Sequence, residues 1–212
     1  MALSNYSGLQ ASVASWLNRS DLTSRIPDFI TLAETRLNRT LRLRVMEEET
    51  AIPVAAGVRT FPLPTGFLEP LELWRPEGQL RVALRYLAPS QIEVDSLAGR
   101  VYFWTITGAN VEFERPTNQA LSLTFRYLKS FALSDASPTN WLLTNHPDAY
   151  LAGALMEAYA GYLRDDQALG IWSARYDRAI AEINLQAGRS RSLTTLSTEI
   201  PAMRRYRRYD YR

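Results

Sequence analysis

The amino-acid sequence predicts an α+β fold. It is expected to be a four-helix bundle drawn from the two ends of the chain, an antiparallel β-domain inserted between helices two and three, and an extended C-terminal arm. Three observations predict it. Apolar residues recur at helical spacing up to about residue 43 and again from about residue 147. Between residues 50 and 128 they alternate with a period of two, and after residue 188 no period is sustained. The expected divisions are therefore 1–46 (helices one and two), 47–137 (β-domain), 138–187 (helices three and four) and 188–212 (arm).

Leu9, Val13, Trp16 and Leu17 form an i, i+4, i+7, i+8 stripe and predict a first helix over residues 5–18, broken by Asn18-Arg19-Ser20-Asp21. Ser24 is the expected cap of a second helix, with Pro27 and Asp28 in its first turn. Ile26, Phe29, Ile30, Ala33, Leu37 and Leu41 carry that helix to about Leu43. Its outer positions include Glu34, Arg36, Arg39 and Arg42, which read as a solvated or subunit-facing side. Glu47-Glu48-Glu49 opens the β region. A strand would send alternate carboxylates to opposite faces, so a solvated strand start is favoured over a cation site.

Segments 50–54 and 58–63 flank the turn Ala55-Ala56-Gly57. Leu71 and Leu73, then Leu80, Val82, Leu84 and Tyr86, continue the short strands, and Ala88 to Glu93 reads as one helical turn. Val101 to Thr107 leads through Gly108-Ala109-Asn110 into Val111 to Glu114, and Leu121, Leu123, Phe125 and Tyr127 give the cleanest alternation. Hairpin-length connections predict an antiparallel sheet of about five or six strands without crossover helices.

Ser137-Pro138-Thr139-Asn140 is a turn cluster, and Trp141-Leu142-Leu143 a short apolar plug at the junction of sheet and helices. Thr144 or Asn145 is expected to cap helix three, with Pro147 in its first turn and Asp148 favourable against the dipole. Leu151, Leu155, Ala158, Tyr159 and Tyr162 follow at helical spacing. Arg164-Asp165-Asp166 separates a last helix, marked by Leu169, Trp172, Tyr176, Ala179, Ile180 and Ile183, ending near Gly188.

Composition excludes several kinds of chemistry. With no cysteine and one histidine among 212 residues, disulfides, thiolate sites and the usual zinc sites are not expected. The sequence holds no glycine-rich phosphate loop and no Gly-x-Ser-x-Gly elbow, and His146, beside Pro147, reads as a capping or packing residue. No catalytic residue, metal ligand or cofactor site is expected, and neither a secretory signal nor a membrane span.

The formal net charge of +2 is uneven. Residues 187–212 carry seven arginines against Glu199 and Asp210, so the remaining body is net acidic at −3. Arginine outnumbers lysine 23 to 1. In the arm, Arg204, Arg205, Tyr206, Arg207, Arg208, Tyr209 and Tyr211 interleave guanidinium and phenol groups, the composition of a binding anchor that orders on a partner. A nucleic-acid-binding protein using this arm, with Arg36, Arg39 and Arg42, is the alternative, disfavoured by the acidic body.

Several stretches carry a family resemblance. They are Ile26 to Arg39 (Ile-Pro-Asp-Phe-Ile-Thr-Leu-Ala-Glu-Thr-Arg-Leu-Asn-Arg), Arg42 to Glu47, Arg59 to Glu69 (Arg-Thr-Phe-Pro-Leu-Pro-Thr-Gly-Phe-Leu-Glu) and Thr139 to Leu151 (Thr-Asn-Trp-Leu-Leu-Thr-Asn-His-Pro-Asp-Ala-Tyr-Leu). Glu157-Ala158, Leu163-Arg-Asp-Asp166, Trp172 and Tyr176 complete the series. In this order the chain resembles the head-to-tail adaptor (connector) proteins of tailed bacteriophages, in particular those similar to tail tubular protein A of short-tailed phages. His146 before Pro147 is a small departure.

The resemblance implies a structural virion protein at the head–tail interface, assembled in the host cytoplasm. It implies a closed ring of twelve copies beneath the portal protein, with a tail, nozzle or head-completion protein below. Genomic DNA would pass through the channel without sequence-specific binding. The arm, with Arg204 to Tyr211, would reach into the portal.

Overall fold

The computed structural model describes residues 3–192, and the arm residues singled out above, Arg204 to Tyr211, lie outside them. The fold is mixed α+β. Among the described residues it has five α-helices: α1 (Tyr6–Leu17), α2 (Ile26–Thr40), α3 (Trp141–Asn145), α4 (Pro147–Ala158) and α5 (Asp166–Ser192). Seven strands lie between α2 and α3: β1 (Glu47–Val54), β2 (Thr60–Pro62), β3 (Phe67–Glu77), β4 (Leu80–Tyr86), β5 (Phe103–Thr107), β6 (Asn110–Phe113) and β7 (Leu121–Lys129).

Helix α4 is the centre of the helical half. Nine of its twelve residues are buried, from Ala149 through Met156 together with Ala158. A helix apolar all round needs walls on every side, and α1, α2 and α5 supply them. Its approach to α2 and α5 depends on Gly153, where an added Cβ would stand 3.0 Å from the Ala33 Cβ and 3.3 Å from the Tyr176 ring.

Local chemistry sets the helix ends. The Asn5 side chain accepts from the Gly8 N–H at 2.7 Å and caps α1, and Asn18 closes it in the left-handed region at φ 49°. Ser24 does not cap α2. It sits inside a 3₁₀ turn, Thr23–Arg25, and α2 begins at Ile26 without a side-chain cap, its Pro27 needing no N–H partner. Nor does α2 reach Leu43. Leu41 turns extended so that Leu41 and Leu43 are both buried, while Arg42 Nη1 donates to the carbonyls of Asn38 and Leu41 and closes the helix.

The sheet runs β1-β7-β3-β4-β5-β6-β2. Its two edge strands are consecutive in sequence, joined by residues 55–59. Laid flat, seven strands would span about 29 Å at ~4.8 Å spacing. Six Cα steps reach only about 21 Å, so the sheet must curl until its edges approach. Its concave face holds a separate core, including Phe61, Leu73, Trp104, Phe113, Phe125 and Tyr127.

Two sheet expectations need correction. The strands number seven, and one pairing is parallel: Arg85 opposite Phe103 and Tyr86 opposite Trp104. Segment 87–102 is long enough for a parallel crossover without any helix. Within it, Ala88 to Glu93 forms a hydrogen-bonded turn (Gln91 N–H to Ala88 carbonyl, 2.8 Å) and no helix. The crossover is latched by the buried Glu114 carboxylate, which accepts from the Tyr102 and Phe103 N–H groups at 2.7 and 3.0 Å. The turn Ala55-Ala56-Gly57 likewise makes no hairpin, because β1 pairs with β7 and β2 with β6.

Replacing Gly153 by Val tests the close crossing. Overpacking at a site that cannot relax costs about 1–3 kcal/mol, and helix propensity gives little in return, so urea melts of Gly153→Val should show that loss. Unchanged stability would show that α2 and α5 can move apart freely.

Candidate functional site

The junction residues expected from sequence fall together where the sheet gives way to the helices. Leu142 and Leu143 are fully buried in the helical core, against which Trp141 packs as a partly buried residue. They belong to α3, a helix of their own, and this changes the capping. Asn140, extended at φ −142°, caps α3 by accepting from the Leu143 N–H at 2.8 Å. Thr144 and Asn145 do not cap α4. Their side chains donate back to the Asn140 and Trp141 carbonyls at 2.9 and 2.8 Å. Helix α4 starts at Pro147 without a side-chain cap, with His146 before it as the hinge. The His146 ring lies 5.4 Å from that of Trp141.

Behind this turn lies a polar network that sequence reasoning missed. Tyr150, buried on α4, donates its hydroxyl to Glu34 Oε1 of α2 at 2.7 Å, and Asn140 Nδ2 donates to the Tyr150 oxygen at 2.7 Å. Glu34 Oε2 accepts from the Leu133 N–H at 3.3 Å. One turn along α2, the Asn38 amide pairs with the backbone of Phe131 in both directions, each bond 2.9 Å. Arg42 bonds Glu69 of β3 at 2.8 Å. Thus α2 holds the chain leaving β7 and the turn into α3, and Arg42 just beyond its end holds the start of β3.

Burial sets the electrostatics. It pushes the Glu34 carboxyl above its ordinary range, and the bonds from Tyr150 and the Leu133 N–H only partly oppose this. The Tyr150 phenol is pushed far up, chiefly by burial and secondly by the neighbouring Glu34 charge, so it stays a donor.

Most other residues weighed from sequence have ordinary partners. Glu47, Glu48 and Glu49 pair with Arg126, Lys129 and Arg81, so they balance cations across strands. Arg36 pairs with Glu157 of α4 at 2.6 Å. Asp165 accepts from the Ala168 N–H at 3.0 Å and caps α5, whose helix runs past Gly188 to Ser192. No helix is long and apolar enough to cross a membrane, and no group of three acidic or histidine side chains is placed to hold a metal among the described residues.

Two substitutions test the network. Tyr150→Phe should destabilise by about 1–3 kcal/mol, the cost of leaving buried partners unsatisfied, read from urea melts; no loss would mean that water replaces the hydroxyl. The raised Glu34 pKa favours the folded state at low pH. That stability is present below the ordinary carboxylate value of 4.5 and is lost as pH rises through the folded value. Glu34→Gln should therefore flatten the fall in melting temperature just above pH 4.5. An identical pH profile in the variant would assign that fall to other groups.

None of the curated proteins searched matches the chain. A family profile described as SU10 adaptor protein matches residues 4–199, from before α1 to beyond the end of α5. That family consists of structural phage adaptors, not a class of enzymes. With nearly all of its length matched, the chain belongs to the SU10 adaptor protein family.

Proposed function

We propose that this adaptor works at the head–tail interface of the virion as a head-to-tail connector of the kind represented by tail tubular protein A. In this reading twelve copies close a ring beneath the portal protein, a tail, nozzle or head-completion protein binds below, and the ring continues the channel for the genome. The helices of the two chain ends act as one bundle into which the sheet is inserted, with functional divisions at 1–46, 47–137, 138–187 and 188–212. Family membership over residues 4–199 is the observation that carries the reading.

The described surface supports a protein-binding role. Of the 17 lysines and arginines up to Arg178, 12 are paired with carboxylates of the same chain. Such a surface offers little unpaired charge to a phosphate backbone, which weighs against nucleic-acid binding by the body. Large apolar side chains are exposed instead, among them Trp16, Leu32, Val45 and Leu185. A closed ring needs two different faces on each copy. The junction at Trp141, Leu142, Leu143 and Pro147 fixes how the helices sit on the sheet.

Portal binding is assigned to Arg204, Arg205, Tyr206, Arg207, Arg208, Tyr209 and Tyr211. Repeated around a ring, even a weak anchor gains avidity from effective concentration. Removing residues 201–212 should abolish recruitment of the protein to portal-bearing particles while its thermal unfolding is unchanged. Normal recruitment of the truncated chain would sink the anchoring role.

A further inference from the structure

A cavity of about 390 Å³ opens beside the hairpin that joins β3 to β4. Arg75, Arg100, Asn118 and Gln119 give it polar groups, and Val101 and Leu121 give it apolar wall. Arg75 is the unusual member. It lies on the inward face of β3 and is only 6% exposed. A guanidinium so placed needs charge and hydrogen-bond compensation.

That compensation is incomplete. Glu77 Oε2 accepts from Arg75 Nη2 at 3.2 Å, and the same oxygen is the ion-pair partner of Arg100. Arg75 Nε has no hydrogen-bond partner. The Tyr102 ring lies 5.1 Å from one guanidinium and 5.7 Å from the other, and holds both beside the cavity. Two cations therefore share one carboxylate oxygen, and one positive charge is left over. Among the described residues, the side-chain amides of Asn118 and Gln119 make no hydrogen bond and are exposed.

We propose that this cavity receives a carboxylate side chain from a neighbouring protein, met first by Arg100 and held by the two guanidinium groups. Arg100 is 45% exposed and its planar fork suits a carboxylate. Val101 and Leu121 suit the methylene stem of an acidic side chain. A phosphodiester is less suited, because the walls beside the cations are apolar and the body is net acidic. That the carboxylate belongs to a virion neighbour rests on the adaptor reading. The site's preference for a carboxylate does not, and its test needs no phage particle.

The test is an NMR titration of the full chain, following the arginine Nε–H signals at constant ionic strength. The probes are N-acetylglutamate α-amide, which carries one side-chain carboxylate, and dimethyl phosphate, which carries the same charge on a phosphodiester. Arg75 and Arg100 signals should shift saturably with the carboxylate, and more weakly with the phosphodiester. Arg100→Gln should abolish saturation with its melting temperature retained, and Asn118→Ala should weaken binding about twofold. A response no larger than that to sodium chloride overturns the proposal, as does preference for dimethyl phosphate, which would mark a nucleic-acid contact. Sedimentation of the concentrated chain then separates the sources. Self-association weakened by the carboxylate probe places the partner carboxylate on a second copy, and self-association insensitive to it rules that source out.

Discussion

The burial of α4 on every side is the constraint from which most of the architecture follows. Its sequence, Pro147 to Ala158, keeps only Asp148 and Glu157 as charged side chains, near its two ends. The apolar middle must be wrapped, and one neighbour is too few. Helices α1 and α2 precede the sheet and α5 follows α4, so the walls come from parts of the chain far apart in sequence. The chain must therefore leave the helical layer after α2 and return to it before α3. Leu43 and Met46 on the way out, and Leu128 and Phe131 on the way back, are buried in the same helical core. The two crossings thus lie against one packed layer.

What the sequence shows and what it hides divide along the range of the interactions. Helix α1, the strand over Leu121 to Tyr127 and the Pro147 start of α4 rest on local periodicity and capping chemistry, and these are legible. The Glu34–Tyr150 bond spans 116 residues and the Asn38–Phe131 pair 93, so no local pattern marks them. Glu34 reads from sequence as an outer, solvated position of α2, yet its carboxylate is largely buried against Tyr150 and the Leu133 N–H. A helical stripe also understates α4, because reading one face of a helix says nothing of its other faces. The parallel β4–β5 pairing was missed because a crossover is expected to carry a helix, and here an extended segment tied to Glu114 takes its place. Ser24 failed as a cap because a 3₁₀ turn occupies the position where helix α2 would otherwise have started.

Charge on this protein is arranged more than accumulated. On the sheet, Arg126 of β7 stands between Glu47 of β1 and Glu72 of β3, and Arg81 of β4 reaches Glu49. Each such pair is exposed enough that its contribution is about 0–1 kcal/mol. Their number therefore says little about stability. Their placement says more, since Arg126 ties β7 to the strand on each side of it and Arg81 reaches from β4 to β1. The predominance of arginine over lysine fits this use, because a guanidinium can serve two carboxylates at once, as Arg126 does.

The two cores do not merge. One lies among the helices and the other inside the curled sheet, and polar contacts of α2 and of Arg42 just after it add direction to the apolar residues that link the two halves. Apolar packing is non-directional and tolerates small rotations of one layer on another. The paired amide of Asn38 on the Phe131 backbone, the Arg42–Glu69 bond and the buried Glu34–Tyr150–Asn140 chain do not, because each fixes a distance and a direction. Burying Glu34 disfavours its charged form, a cost that a leucine at the same place would avoid. Such a cost is understandable where orientation matters more than the last increment of stability. Asn38 on α2 and Arg42 just beyond its end set that direction toward the sheet, while Glu34 one turn back secures the turn into α3 through Tyr150 and Asn140.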